Sequence, residues 1–571
     1  MAHDCREGTA GRREVTVHMQ TRFMVAVLVA MVTAVAGSRE APSFVAAQSG
    51  SCEALAGLKL TRASIVSAAV VPEGPLTAGR AGGPAPLTVP ERCVVKGIAR
   101  PSSDSEIRFE LWLPVAAAWN GKYQQVGNGG WAGSIPTAGL VAGVRRGYAT
   151  AGTDDGHAGG QWADWAIGHP EKLADFGHRA VHETSVHSKA IIQGFYGREG
   201  AKSYFIGCSD GGREALMEAQ RYPDDFHGIV AGAPANNWTG LMTMALTIER
   251  AFDAAAIPPS KLPAIQAAAL AACDTVDGVK DGVMEDPRSC TFDPAVLTCK
   301  GADSDQCLTA AQVITLRHIY EGPRHPRTGV QIAPGFSPGT EAVPGGWVPW
   351  IVPPPPGPQA TSTTSVIAGF GNSFYGQAVA EDPKWDFRKW SFESDYAFAV
   401  EKTGALLNST SPDLRSFRAT GGKLIQFHGW GDAAIPGLAS IEYYDRVRAF
   451  MAKYPDGRTS GPGEVDEFYR LFMVPGMGHC SGGIGPNTFG NGGRSGASTT
   501  PDPDSDLVAA LERWVEHGTA PERLIASGTV VGDPARPLTR PLCAYPKVAR
   551  YNGSGDPYVA DSFTCAVPAA R

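Results

Sequence analysis

From about residue 105, short apolar runs alternate with segments of helical period. LWLPVAAAW (111–119), KYQQVGNGG (122–130) and GYATAGTDD (147–155) read as strands that end in loops. Residues 175–196 read as a helix. SYFIG (203–207) is a short apolar strand, and GGREALMEAQRY after it has the spacing of an amphipathic helix. GIVAGAP (228–234) is another buried strand. Strands alternating with helices predict a parallel sheet covered by helices. The alternation stops over 236–410, which holds helices, a loop rich in cysteine and aspartate, and the run Pro353-Pro354-Pro355-Pro356, expected as stiff polyproline II. It resumes at KLIQFHG (423–429), a helix near 438–452, YRLFMVP (469–475) and the helix DLVAALERWVEHG (506–518). The expected organisation is an α/β domain made of 48–235 and 411–571, interrupted by a lid domain at 236–410.

Composition agrees with a globular chain. It is 43% hydrophobic and 19% charged over 571 residues, with 69 glycines and 44 prolines for structured loops. The net charge of -7 and the lack of a Lys/Arg stripe exclude nucleic acid as a partner. Arg12, Arg13 and Arg22 precede an apolar run from Phe23 to Gly37, and Ala34-Val35-Ala36 forms a small-residue site. This predicts a signal peptide over 1–36, or as far as 47, and a secreted or periplasmic protein with no membrane partner after cleavage. An uncleaved anchor is the alternative, but the run is short for a bilayer span. Translation starting at Met19 or Met24 would suit that signal better. Cys5 falls in the segment lost, and the remaining ten cysteines are an even number, as a disulfide-bonded exported protein requires.

Gly207-Cys208-Ser209-Asp210-Gly211 matches G-x-S-x-G between an apolar strand and a helix. That context predicts a sharp turn presenting the Ser209 hydroxyl above the sheet edge, and an α/β-hydrolase fold. A serine needs a base, and in this fold the acid and then the base follow it in the chain. Asp432 lies in His428-Gly429-Trp430-Gly431-Asp432 after one strand, and His479 in Pro475-Gly476-Met477-Gly478-His479-Cys480 after another. His428 is the rival base and reads better as structural. Two backbone N–H groups must receive the oxyanion. Asp210 supplies one, and the loop Gly127–Gly133 supplies the other, at Gly130.

A further constellation spans Cys273–Val283, where Asp274, Asp277 and Asp281 alternate with glycines. Three carboxylates within eight residues suit a hard cation with many oxygen ligands.

DFGHRAVH, YFIGCSDGGREALMEAQRYPDDFHGIVAGAPANNW, HGWGDAAI, VPGMGHCSGG and RPLCAYPKVARYNGSGD resemble the tannases and feruloyl esterases, which include bacterial mono(hydroxyethyl) terephthalate hydrolases. The resemblance implies a secreted serine carboxylic ester hydrolase working through an acyl-enzyme on a small aromatic-acid ester, galloyl or hydroxycinnamoyl. It implies the disulfides Cys208–Cys480, Cys52–Cys93, Cys273–Cys290, Cys299–Cys307 and Cys543–Cys565. It implies structural calcium held by Asp274, Asp277 and Asp281 with the carbonyls of Val279 and Val283. The lid should wall the acyl pocket through Trp347, Trp350, Phe370 or Phe374, with Trp131 and Ile435 beside them. The terephthalate enzymes carry a lid arginine and an aromatic residue after the acid. TSTTSVIAGFGNSF has no arginine, Arg388 lies further on, and Ile435 replaces the aromatic. Phenolic esters are therefore favoured over the terephthalate monoester. A peptidase or amidase on the same fold is the other alternative, as is a silent binding protein.

Overall fold

The apolar runs become one nine-stranded sheet in a computed structural model that describes residues 50–76, 87–355, 364–453, 463–491 and 501–568. Its strands are β1 (Ala63–Val71), β2 (Arg92–Ala99), β3 (Ile107–Pro114), β4 (Lys122–Val126), β5 (Ala149–Thr153), β6 (Lys202–Cys208), β7 (Gly228–Gly232), β8 (Lys423–Gly429) and β9 (Tyr469–Val474). The spatial order is β1-β2-β3-β5-β4-β6-β7-β8-β9. From β5 to β9 all neighbours are parallel, and β1, β2 and β3 extend the sheet antiparallel. β7 is buried along its whole length, as expected of a parallel strand covered on both faces. This is the α/β-hydrolase fold.

Several boundaries differ from the sequence reading. The third strand begins at Ile107 and stops at Pro114, and residues 115–119 turn so that Trp119 stacks on Tyr196 at 3.7 Å. The helix expected over 175–196 starts with a wide turn, Asp175–Arg179, before the regular helix Ala180–Tyr196. β1, β2 and the C-terminal hairpin Arg523–Val530/Asp533–Cys543 were not anticipated. Their alternation is broken by polar and small residues, so the period of two is faint. Pro353–Pro355 belong to no helix or strand, and Pro356 and the signal segment 1–47 lie outside the described residues.

The insertion leaves β7 at Gly232 and returns at Lys423. Its first long helix, Trp238–Ala255, is capped by Asn237, whose side chain accepts from Gly240 N–H. Trp238, Met242 and Leu246 of that helix pack with Trp131 and Phe176 of the α/β portion in one hydrophobic cluster. Residues Gln48–Arg571 accordingly form a single compact unit, and the insertion shares a core with the sheet-bearing part. All five cysteine pairs are disulfide-bonded: Cys52–Cys93, Cys208–Cys480, Cys273–Cys290, Cys299–Cys307 and Cys543–Cys565. Among the described residues no helix is long and apolar enough to cross a membrane.

Candidate active site

β6 ends at Cys208 and the helix Asp210–Arg221 begins one residue later. Ser209 joins them at φ 68°, ψ -120°, a conformation disfavoured for any residue with a side chain. The turn is held by Ser209 N–H donating to Gly232 O (3.0 Å) and by Ser209 O accepting from Ala235 N–H (3.1 Å). It closes so tightly that a Cβ on Gly207 would stand 2.1 Å from Gly211 O, which is why glycine is required there. The serine is thereby raised at the C-terminal edge of the sheet and above a helix N-terminus.

Asp432 and His479 follow β8 and β9, and the parallel sheet brings their loops beside Ser209. His479 Nε2 lies 2.9 Å from Ser209 Oγ, and His479 Nδ1 lies 2.8 Å from Asp432 Oδ2. Asp432 Oδ1 accepts from the N–H groups of Ala434 (2.8 Å) and Ile435 (2.9 Å), so both carboxylate oxygens are engaged. Burial alone would raise this carboxyl. The charge of His479 and hydrogen bonds from His428 and His479 hold it well below the usual carboxylate range. His428 is fully buried between Ser440 Oγ (2.7 Å) and Ile435 O (3.0 Å), with Asp432 Oδ2 at 3.3 Å. It does not reach Ser209 and braces the acid instead. The Cys208–Cys480 disulfide ties the neighbour of Ser209 to the neighbour of His479.

Ser209, His479, Cys208 and Cys480 line a cavity of about 960 Å³ together with Gly130, Asp210, Trp350, Phe370 and Ile435, and the buried Asp432 and His428 do not reach it. Among the described residues, no protein acceptor takes the N–H of Asp210 or Gly130. The Trp350 ring meets the His479 imidazole edge-on at 5.1 Å. Three expected wall residues are placed elsewhere. Trp347 is 1% exposed and packs on Tyr320 within the insertion's own core. Phe374 is buried beside Tyr375. Trp131 lies behind the wall, 4.9 Å from Trp238 and 6.4 Å from Phe370. The lining that sequence reasoning missed is Leu241, Met242 and Ala245 of the helix Trp238–Ala255, with Ile367. Their apolar spacing signals a helix face but not what that face meets.

The acidic loop of the insertion folds on itself. Asp274 accepts from Gly282 N–H (2.9 Å), Asp277 from Val279 N–H (3.0 Å) and Glu285 N–H (3.1 Å), and Asp281 from Val283 N–H (3.1 Å) and Arg540 Nη2 (2.7 Å). Burial first, and then the charge of Asp281, raise Asp274 and Asp277, the latter to about 6. An oxygen-only loop crowded with carboxylates has the donor chemistry of a hard divalent cation site.

A strained serine on a strand-to-helix turn, hydrogen-bonded to a histidine that a buried aspartate holds, is the arrangement of serine hydrolases on the α/β-hydrolase fold. Within that class the chain belongs to the tannase and feruloyl esterase family, whose sequence profile matches residues 93–566. It is a carboxylic ester hydrolase. It is 42% identical over 541 residues to an uncharacterized esterase of Xanthomonas campestris pv. campestris, covering 91% of this chain and 92% of that one. A probable feruloyl esterase B of Aspergillus clavatus is 34% identical, covering 83% and 86%. The crystal structure of feruloyl esterase B from Aspergillus oryzae superposes with a TM-score of 0.80 at 30% identity, covering 90% of this chain and 99% of that one. Tannin acyl hydrolase from Aspergillus niger superposes at 0.68 with 25% identity, covering 89% and 92%.

Proposed function

We propose that the protein hydrolyses esters of phenolic aromatic acids through an acyl-enzyme on Ser209. The observation that carries this reading is the unbroken chain Asp432–His479–Ser209, whose histidine and serine face a cavity walled by Trp350, Phe370 and Ile435. His479 Nε2 takes the Ser209 proton as Oγ bonds to the ester carbonyl carbon. The carbonyl oxygen becomes an oxyanion received by the N–H groups of Asp210 and Gly130. The C–O bond to the alcohol then breaks, and the alcohol leaves with the proton from His479. Water, deprotonated by the same nitrogen, attacks the acyl carbon, the Oγ–acyl bond breaks as His479 returns the proton to Ser209 Oγ, and the acid departs. Asp432 holds the Nδ1–H tautomer throughout.

The wall is aromatic and aliphatic, which matches a flat aryl ring. Arg146, the arginine at the cavity, is paired with Asp506 at 3.2 Å. Arg388 is exposed and paired with Asp253. Arg146 is thus neutralised through Nη1 by Asp506 and Arg388 pairs at the surface, which supports phenolic esters over a terephthalate monoester. The feruloyl esterase and tannin acyl hydrolase likenesses support the same substrate class. The disulfides support export into an oxidising compartment, and the acidic loop supports a structural calcium ion held by Asp274, Asp277 and Asp281.

The test ranks methyl gallate, methyl ferulate, methyl p-coumarate and mono(hydroxyethyl) terephthalate by kcat/KM. The phenolic esters should lead, and preference for the terephthalate monoester would overturn the substrate reading. Ser209→Ala should abolish turnover with the melting temperature almost unchanged. Substantial residual turnover would overturn the mechanism. p-Nitroanilides should be turned over far more slowly than the matching p-nitrophenyl esters if the enzyme is an esterase rather than an amidase.

A further inference from the structure

We infer that Glu214 is a positioning residue that clamps the oxyanion-binding loop onto the nucleophile helix. The inference rests on the reading of Ser209 as nucleophile and extends it to a group one turn further along the same helix.

The loop after β4 carries Asn128 two residues before Gly130. Both polar groups of the Asn128 backbone are held by the helix Asp210–Arg221. Its N–H donates to Glu214 Oε2 at 3.1 Å, and its C=O accepts from Gly211 N–H at 2.9 Å. Its side chain donates to Thr153 O at 2.9 Å. The approach is possible because glycine stands on each side. A Cβ on Gly127 would lie 2.7 Å from Glu214 Oε2 and 2.7 Å from Gly211 Cα, and one on Gly211 would lie 2.8 Å from Asn128 O. The first turn of the helix therefore sets the place of Gly130 as well as that of Asp210, and the two N–H groups form one rigid unit.

Glu214 is itself held from behind. Its carboxylate and those of Asp155 and Asp210 approach within 4.8 Å of one another, and all three residues are buried. Asp155 comes from the loop after β5. Among the described residues the cation facing the cluster is Arg213, which donates to Asp210 Oδ1 at 2.6 Å and to the carbonyls of Gly177 and Phe176. Three acids against one guanidinium leave an excess of negative charge that burial does not tolerate. Burial raises Asp155 to about 7 and Asp210 to about 8, and raises Glu214 well above its ordinary value. Burial therefore favours the uncharged forms of these acids, which suits the close approach of the Asp155 and Glu214 carboxyls behind Asn128.

The test compares E214M, which keeps the volume and loses the acceptor, with E214Q, which keeps an acceptor for Asn128 and donates to Asp155. The readouts are p-nitrophenyl acetate turnover, inhibition by phenylboronic acid, which forms a tetrahedral adduct on serine, and inhibition by a product acid. Loss of oxyanion alignment in E214M should lower kcat about 10- to 100-fold, weaken the boronic acid in step, and move KM and product inhibition less than about threefold. E214Q should restore most of the turnover. Wild-type kcat and boronate inhibition in E214M would overturn the inference, as would a loss shared equally by KM and product binding. If E214M does not fold, E214D, which keeps the acid and shortens its reach by one methylene, is read in the same way. Full turnover by Ser209→Ala would instead overturn the mechanism itself, so the two failures are distinct.

Discussion

Cys208 and Cys480 are bonded to each other, and each is the chain neighbour of one end of the Ser209–His479 hydrogen bond. The bridge closes a loop of 272 residues that contains the entire insertion. It restrains the unfolded chain and also fixes the spacing of two loops that must agree to within a hydrogen bond.

The double substitution C208S/C480S should therefore lower stability by about 2–5 kcal/mol. It should also lower kcat at temperatures where the variant is fully folded. Denaturant melts and turnover at low temperature measure the two effects separately. Wild-type kcat in a destabilised variant would confine the bridge to stability.

Asp432→Asn should lower kcat by about 10⁴-fold, because the amide favours the wrong imidazole tautomer. The effect on stability has a defined pH dependence. The carboxyl of Asp432 lies below its unfolded value of about 3.9. Its contribution is thus present above that value and lost as pH falls through the lower folded value. The stability gap between wild type and Asp432→Asn should be open at neutral pH and narrow in acid. Denaturation at both pH values checks the sign.

Trp347 and Trp350 stand three residues apart with opposite roles. Trp347→Ala should cost about 3–5 kcal/mol of stability, since it empties a buried site against Tyr320. Trp350→Ala should leave stability nearly intact and impair turnover of aryl esters, since the ring faces His479 across the cavity. Melting curves and kcat/KM for methyl ferulate distinguish them, and exchanged phenotypes would refute the assignment.

Chelation should lower the melting temperature more than it lowers turnover in the cold. A bound ion at a hundredfold excess over its Kd contributes about 2.7 kcal/mol, and the loop lies in the insertion away from Ser209. Differential scanning with and without EDTA, followed by repletion with calcium, measures it. An unchanged melt after prolonged chelation would remove the proposed ion.

The sequence read alone located the strand-to-helix turn at 207–211, the chain order Ser209, Asp432, His479, and the acidic loop. Each is written in consecutive residues, because positive φ, close backbone approach and strand ends are demands met locally by glycine and apolar runs. The helix after Ser209 was misread in one respect. It read as amphipathic, yet residues 210–219, Arg213, Glu214 and Glu218 among them, are all buried. Charge ordinarily marks an exposed face, and only the surrounding acids, guanidinium and backbone groups make its burial tolerable.

Tertiary structure alone decided what the cavity is made of. Trp347, Phe374 and Trp131 were as plausible for the wall as Trp350 and Phe370, since composition says nothing about which face of an element turns toward a distant serine. The helix Trp238–Ala255 supplied Leu241, Met242 and Ala245 instead. Apolar side chains are driven out of water without regard to direction. Whether one becomes core or pocket is settled where separate parts of the chain meet.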